Sequence, residues 1–522
     1  MDDSLLAGVA AMSKLLSRTL GPSAAPVLSG GASLELLADS AMLARRITGL
    51  AGVGRAHNAG ALLVGELART VRETYGDGAA TAAVLAGVMV GQAGRLVNAG
   101  VQPVDLRRGI DRGVDAACRS LATQATEVGL EEARGLFDAA VHDAALGALL
   151  AEMFDLLGEH PALLIEERDR LVPSVAGPLV DHEYVDGARW RARPADGGWL
   201  PEGKSELTLR EPLIVVVDGV LRQADDVVPV LDLAHREGRP LLLVSRDVEA
   251  DASRILLAMR TQPGAPLVAP WCLASAGTRV GDDLEDLAVL TGASVLTAVL
   301  GRHPGTVRSA DCGSARHVSL TRAQLTVSES AGDPADRIET LSARLQRTPA
   351  GHETNALRLR LARLAGSLGV VTITGGPDPE RALYRARIEN GQRVFESARA
   401  GGVVGGGGTA YLRCRPDVLS ARAECGTEDQ RCGVDVVLAA LEAPFRQLVR
   451  SHGSESPSVA VEKLAELGDG WGFDASEGSY VDVRASGLVD SAGVAEGALR
   501  SAGSLAGAVI TTTLVAAGGA RG

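Results

Sequence analysis

"YGDGAATAAVLAG", Tyr75–Gly87, reads as a turn that opens a helix. Gly76, Asp77 and Gly78 make the turn, and no bulky side chain follows before Val84. Such a start leaves backbone N–H groups free to meet an anion. Phosphate-binding turns usually add hydroxyls there, yet Ala79 and Ala80 come first and only Thr81 carries one. By itself the turn is as good a helix cap as a ligand site, so the surrounding sequence decides.

Upstream, "LLAGVAAMSKLLSRTL" has helical periodicity and stops at Gly21-Pro22; "AGALLVGELARTVRETY" is a second amphipathic helix. The stretch after the turn is nearly apolar and so a buried helix, and "PVDLRRGIDRGVDAACRSLATQA" starts a fourth at Pro103. The middle of the chain changes character. "PLIVVVDGVL" and "PLLLVSRDV" are aliphatic runs bounded by Pro and Gly, separated by the helix-like "DDVVPVLDLAHREG". That is the pattern of an α/β unit with parallel strands. Residues 337–367 suggest a helical hairpin, and the last part is helical again. The order helical, mixed, helical suggests a chain that leaves one domain, builds another and returns.

At 522 residues the chain is too long for one core. Its few aromatics imply cores of Ala, Val and Leu. A net charge of −13 argues against nucleic acid or an anionic membrane as partner. The six cysteines show no C-x-x-C spacing, so buried thiols in a reducing cytosol are expected rather than a metal site. The acidic start lacks the basic leader of a signal peptide, and no apolar run is read as membrane-spanning. A cytoplasmic location is the expectation.

Six segments in order carry a resemblance. "TLGP" (Thr19–Pro22), "GDGAATAAVLA", "VQPVDLRRGID" (Val101–Asp111), "VVGGGGTA" (Val403–Ala410), "EDQRCGVDVVLAALEAPFRQLV" (Glu428–Val449) and "AGAVITT" (Ala506–Thr512) fall as they do in the bacterial group I chaperonins of the GroEL type. The resemblance covers nearly the whole chain. It implies an α/β multidomain chaperonin fold: a mostly helical equatorial domain from 1–120 and 401–522, a small intermediate domain from 121–175 and 369–400, and an α/β apical domain from 176–368. It also implies ATP and Mg2+ as cofactors, non-native polypeptides as clients, a ring of like subunits and a co-chaperonin lid.

The resemblance assigns residues. Thr19, Leu20, Gly21 and Pro22 match a loop that lines the phosphate pocket. Asp77 matches the magnesium-binding aspartate, and Gly76 and Gly78 let the backbone approach the phosphates. Thr81 matches the last of three threonines, with Ala79 and Ala80 in place of the others. Gly406 and Gly407 match glycines against which the nucleotide packs, and Asp490 the acid that bonds the ribose. Asp474, Ala475 and Ser476 stand where a base-contacting asparagine and two alanines are usual. The departures matter more. The catalytic aspartate that positions water is matched by Asn390, whose amide neither takes a proton nor polarises water by charge. Ala38 replaces a lysine, while Asp39 keeps a second carboxylate capable of slow hydrolysis. This reads as an inherited nucleotide site that has been trimmed.

On the client side the family captures exposed apolar chains with apolar apical residues. Val228, Leu231, Ile255, Leu256 and Tyr184 match such positions, in a groove that is more polar than usual around Ala188 and Arg189. A shortened N-terminus and a shortened hairpin near "SAAPVLSGGASLELLADS" put ring contacts in question. The rival expectation is therefore an ATP-independent scaffold, holdase or adaptor that joins rings of a conventional paralogue.

Overall fold

The computed structural model describes residues 3–21, 27–30, 34–37, 40–46, 54–168, 180–196, 198–200, 203–260, 262, 264–274, 279–348 and 352–512. The chain divides into two compact units. One comprises Met1–Asp155, Glu167–Val180 and Ile373–Gly522, the other Leu156–Glu166 and Asp181–Thr372. The return of the chain expected from the helical, mixed, helical order is thus present. The segments assigned to an intermediate domain do not separate as a third unit and fall mostly within the first.

The first unit begins with α1 (Asp3–Leu16), α2 (Ser40–Arg46), α3 (Arg55–Tyr75), α4 (Ala79–Asn98), α5 (Pro103–Gln124), α6 (Leu130–Val141) and α7 (Ala144–Leu157), whose last residues cross to the other unit. α4 is the central helix. Ala82, Ala83, Leu85, Ala86, Met89 and Ala93 along it are fully buried. Its 20 residues are apolar enough, by length and composition, to cross a membrane, contrary to the sequence reading. That apolarity has a structural use here: α1, α3 and helices from the C-terminal part of the chain pack on it, leaving polar residues such as Arg95 and Asn98 near its end exposed.

Small residues let these helices approach closely. A Cβ on Gly109 of α5 would stand 2.0 Å from the Gln430 carbonyl oxygen, and one on Gly433 would stand 2.2 Å from that of Leu106. The two glycines face each other across one helix crossing, which explains how a core with so few rings stays dense.

The second unit holds a mixed eight-stranded sheet. Val295–Leu296, Leu213–Val217, Leu241–Ser245 and Val268–Leu273 run parallel in that order, as the two aliphatic runs predict. The sheet then continues antiparallel through Ala188–Pro194, Gln324–Ser330, Gly313–Thr321 and Glu206–Arg210, which the sequence reading did not foresee. Helices α8 (Ala224–Glu237), α9 (Ala250–Arg260), α10 (Arg279–Thr291), α11 (Ala335–Arg347) and α12 (His352–Ala365) accompany it, the last two being the expected hairpin. Trp190, Trp199 and Trp271 are buried in this core. A buried ionic cluster ties α10 to α12. Arg360 forks onto Asp286 at 2.6 and 2.9 Å, and Arg363 reaches Asp283 at 2.8 Å.

The chain returns through α13 (Asp378–Gly401), α14 (Thr409–Arg413), α15 (Arg415–Ala423), α16 (Glu428–Leu441), α17 (Ala443–His452), α18 (Pro457–Leu467) and α19 (Ala492–Thr511). α19 lies on α4 and α5, and α16 on α5, so both chain ends build one core. α13 joins it through Val394 and Ala398, which are buried with Leu136, Val403, Val489 and Val494. Phe137, Phe154 and Phe395 stack between α6, α7 and α13 with centroids 4.7–5.3 Å apart. This packing is why α6 and α13 stay with the helical unit.

Candidate functional site

α3 ends where Gly76 turns left-handed, with φ +84°, and its N–H bonds the Arg72 carbonyl at 2.9 Å. The Arg72 guanidinium returns a bond to the Gly76 carbonyl, also at 2.9 Å. Gly78, φ +85°, then caps α4 with no side-chain bond to the first turn. The N–H groups of the α4 start therefore remain available to an anion. Neither glycine tolerates a side chain. A Cβ on Gly76 would lie 2.7 Å from the Asn390 carbonyl oxygen and one on Gly78 2.7 Å from Val494. Asp77, between them, is exposed, Ala79 and Ala80 are buried and Thr81 is half-buried.

Asn390 on α13 is only 5% exposed and lies against the back of this turn. Asp490 belongs to the short strand Val489–Ser491, opposite Val404 of Val403–Gly405. Burial and the neighbouring Asp77 carboxylate push its carboxyl up to about 7. The buried Tyr411 hydroxyl donates to the Ala495 carbonyl at 2.8 Å, and burial, reinforced by Asp490, raises its pKa well above the usual value. Gly406 and Gly407 follow the first strand. The Gly406 N–H bonds the Leu488 carbonyl at 2.8 Å, and the Thr409 hydroxyl donates to the Gly406 carbonyl at 2.7 Å.

A second group of residues is linked to the first through Gly407, whose Cβ would sit 3.2 Å from the Phe473 carbonyl. Phe473 and Asp474 end the strand Trp471–Asp474, and the Asp474 carboxylate accepts from the Ser476 N–H at 2.8 Å and hydroxyl at 2.5 Å. Ala475 is buried with Phe445, Leu448 and Phe473, and Leu20 packs on the same cluster. Gly21, φ +102°, meets Leu448. The Thr19 hydroxyl is committed to the Leu16 carbonyl at 2.7 Å and to Ser40 at 2.6 Å. Pro22, Ala38 and Asp39 lie outside the described residues.

Thus Thr19, Leu20, Gly21, Gly76–Thr81, Asn390, Gly406, Gly407, Asp474, Ala475 and Asp490, scattered over the sequence, share one unit and connect by contact or charge. Among the described residues no three His, Cys, Asp or Glu side chains gather as a metal cage. A single exposed Asp77 beside free N–H groups suits Mg2+ carried in with phosphate oxygens, since that ion is held by one or two carboxylates plus its ligand. Sequence reasoning missed Arg69, Arg72 and Arg393, which line one cleft with Asn390, Glu73 and Glu389. Their spacing, one helical turn apart on α3, was readable, but only α13 packing brings Arg393 to them.

In the second unit the expected client-binding residues divide. Val228 on α8 and Tyr184 on Val180–Tyr184 are each 39% exposed. Leu231 and Leu256 are 2% and 0% exposed and belong to the core under α8 and α9, so they are not surface groups. Ile255 is half-buried against the same core. One helical step separates a groove residue from a core residue, and periodicity does not say which face meets the sheet.

The model of the TCP-1/cpn60 chaperonin family matches residues 12–194 and 222–516. With a helical unit built from both chain ends, an inserted α/β unit and this match along nearly its whole length, the chain belongs to the TCP-1/cpn60 chaperonins and carries their fold and their role as chaperones in protein folding.

Proposed function

We propose that this chaperonin is of the group I type, binds ATP with Mg2+ weakly, hydrolyses it poorly and holds non-native polypeptides in the cytoplasm as part of a ring, its own or mixed with a paralogue. The observation that carries this reading is Asn390, a residue with an uncharged side chain, buried on α13 with its backbone carbonyl against Gly76 of the turn. In a phosphoryl-transfer site a carboxylate at such a place orients and deprotonates water; losing a general base costs about 10²–10⁴-fold in rate.

Each residue then has a part. The α4 N–H groups and the left-handed glycines receive phosphate oxygens, and Asp77 helps to hold the metal ion. Asp490 accepts from ribose hydroxyls. Leu20, Gly407 and Ala475 supply apolar contact for the base. Ala79 and Ala80 offer no hydroxyl, and each missing phosphate bond weakens binding by about 1–3 kcal/mol. Val228 and Tyr184 meet the client by hydrophobic capture.

Steady-state and single-turnover ATPase assays of the wild-type protein and Asn390→Asp test the reading. A wild-type rate at least about tenfold below that of Asn390→Asp supports it. Equal rates, or a wild-type protein as fast as ordinary chaperonins, end it. A protein that binds no ATP at all but still suppresses client aggregation favours the holdase or adaptor reading instead.

A further inference from the structure

α8 shows solvent a row that sets one apolar group between two acids. Val227, Val230, Leu231 and Ala234 turn inward and are buried. Asp225, Val228 and Asp232 are all exposed, at spacings of three and four residues that align them along one side of the helix. Seven residues of helical rise put the two acids about 10 Å apart. Neither carboxylate meets a cation among the described residues. The nearby cations are engaged elsewhere: Arg222 pairs with Glu249 at 3.1 Å, Arg254 with Asp251, and the Arg236 guanidinium donates to the backbone carbonyl of Asp232 at 3.3 Å. Asp226, by contrast, serves the fold, accepting from the Arg222 and Gln223 N–H groups at 2.8 and 3.1 Å. Asp225 lies in the first turn, where the helix dipole favours an acid; Asp232, past the middle, has no such reason to be there. Tyr184, the other exposed apolar group, stands in sequence between Asp181 and Asp186, both exposed and both without a cationic partner among the described residues.

We propose that the exposed side of α8 selects its clients by charge: it takes an apolar segment that carries Lys or Arg one helical turn to either side of its apolar residues. This rests on the capture reading above and names the class of client. Val228 supplies the apolar part of the attraction by burial against the client. Each exposed carboxylate adds about a two- to fivefold preference for a cation over a neutral group. An anionic segment meets two like charges about 10 Å apart and is disfavoured at both. Salt screens charges over about 10 Å at 0.1 M, so the selection fades as salt rises while the apolar attraction stays.

Fluorescence anisotropy of two labelled amphipathic peptides, titrated with the full chain, tests it. The peptides share the same leucines and differ only in carrying Lys or Glu one helical turn to either side. At low salt the Lys peptide is expected to bind about tenfold or more tighter, and at about 1 M salt the difference shrinks to about twofold or less. Asp225→Asn with Asp232→Asn weakens the Lys peptide and tightens the Glu peptide, a gain that a misfolded variant cannot produce. Glu152→Gln with Asp155→Asn removes as much charge from the exposed side of α7 and leaves the preference in place. Equal affinity of the two peptides, a preference that survives the α8 pair, or one that the α7 pair erodes as much, overturns the proposal. Val228→Ser separates it from the reading beneath: weakening of both peptides upholds capture at α8 whatever their ratio, whereas unchanged binding of both, or a wild type that binds neither, ends the capture reading and this one with it.

Discussion

Replacing Asp490 with asparagine stabilises the helical unit, and by an amount that depends on pH. In the folded chain the half-buried carboxyl is pushed up to about 7 by its loss of solvent and by Asp77; its ordinary value is 3.8. The folded state therefore keeps a proton that the unfolded state releases. Below 3.8 both states hold it and nothing is lost. As pH rises from about 4 to about 7 stability falls, and above 7 the full cost of ionising this carboxyl is present. A shift of roughly three units is worth roughly 4 kcal/mol. Asparagine mimics the protonated group and carries no such dependence. At pH 5 the wild type has lost the smaller part of this, so the advantage of Asp490→Asn grows by about 3 kcal/mol between pH 5 and pH 8. Hydrogen exchange over Val489–Thr511 reads the opening of this unit without requiring the whole chain to unfold in one step. Variant and wild type are compared at each pH, which removes the intrinsic pH dependence of exchange. Where exchange reports opening equilibria, the protection ratio should rise by about two orders of magnitude across that range. A ratio that stays flat from pH 5 to pH 8 would mean that the carboxyl titrates near its ordinary value and that Asp77 is not close enough to matter.

Asp286→Ala removes the buried carboxylate that both Arg360 and half-buried Arg337 fork onto, leaving Arg360 only Asp282 at 3.1 Å and Arg337 only Glu285 at 2.7 Å, and should destabilise the α/β unit by up to about 3–5 kcal/mol, visible as an early urea transition in the emission of Trp190, Trp199 and Trp271. Gly433→Ala forces the α5–α16 crossing apart, because its Cβ would overlap the Leu106 carbonyl, and should cost about 1–3 kcal/mol or more by calorimetry. Val228→Glu should abolish capture of an unfolded client in an aggregation assay while changing stability by no more than about 0.5 kcal/mol. Leu231→Ala does the reverse, costing about 2–5 kcal/mol with capture intact in the folded fraction.

The helical framework was legible because its signals are local. Gly21 follows the 3-10 turn Ser17–Thr19 into which α1 runs at Leu16, Pro103 starts α5, and the GDG turn separates α3 from α4. The parallel half of the sheet was legible for the same reason. Its antiparallel half was not, since strands such as Gly313–Thr321 are half polar and owe their place to partners far along the chain. The candidate site was visible as motifs, because each glycine there answers a local backbone need. The environment of Asn390 was not visible, since Arg72 and Arg393 meet only once α3 and α13 pack together. Leu231 and Leu256 were misread for a related reason: an apolar side chain next to an exposed one looks the same in sequence whether it faces solvent or the sheet.

The turn at Gly76–Gly78 is pinned by sterics on both sides, by α13 at one glycine and by Val494 at the other. Mutational drift cannot enlarge either residue without prising helices apart, whatever the turn does or does not bind. A descendant that had abandoned nucleotides altogether would still display the two glycines at this place. Persistence of that glycine pair among distant relatives therefore records architecture, and the history of the motor is to be sought at positions that geometry leaves free to change, with residue 77 between them foremost.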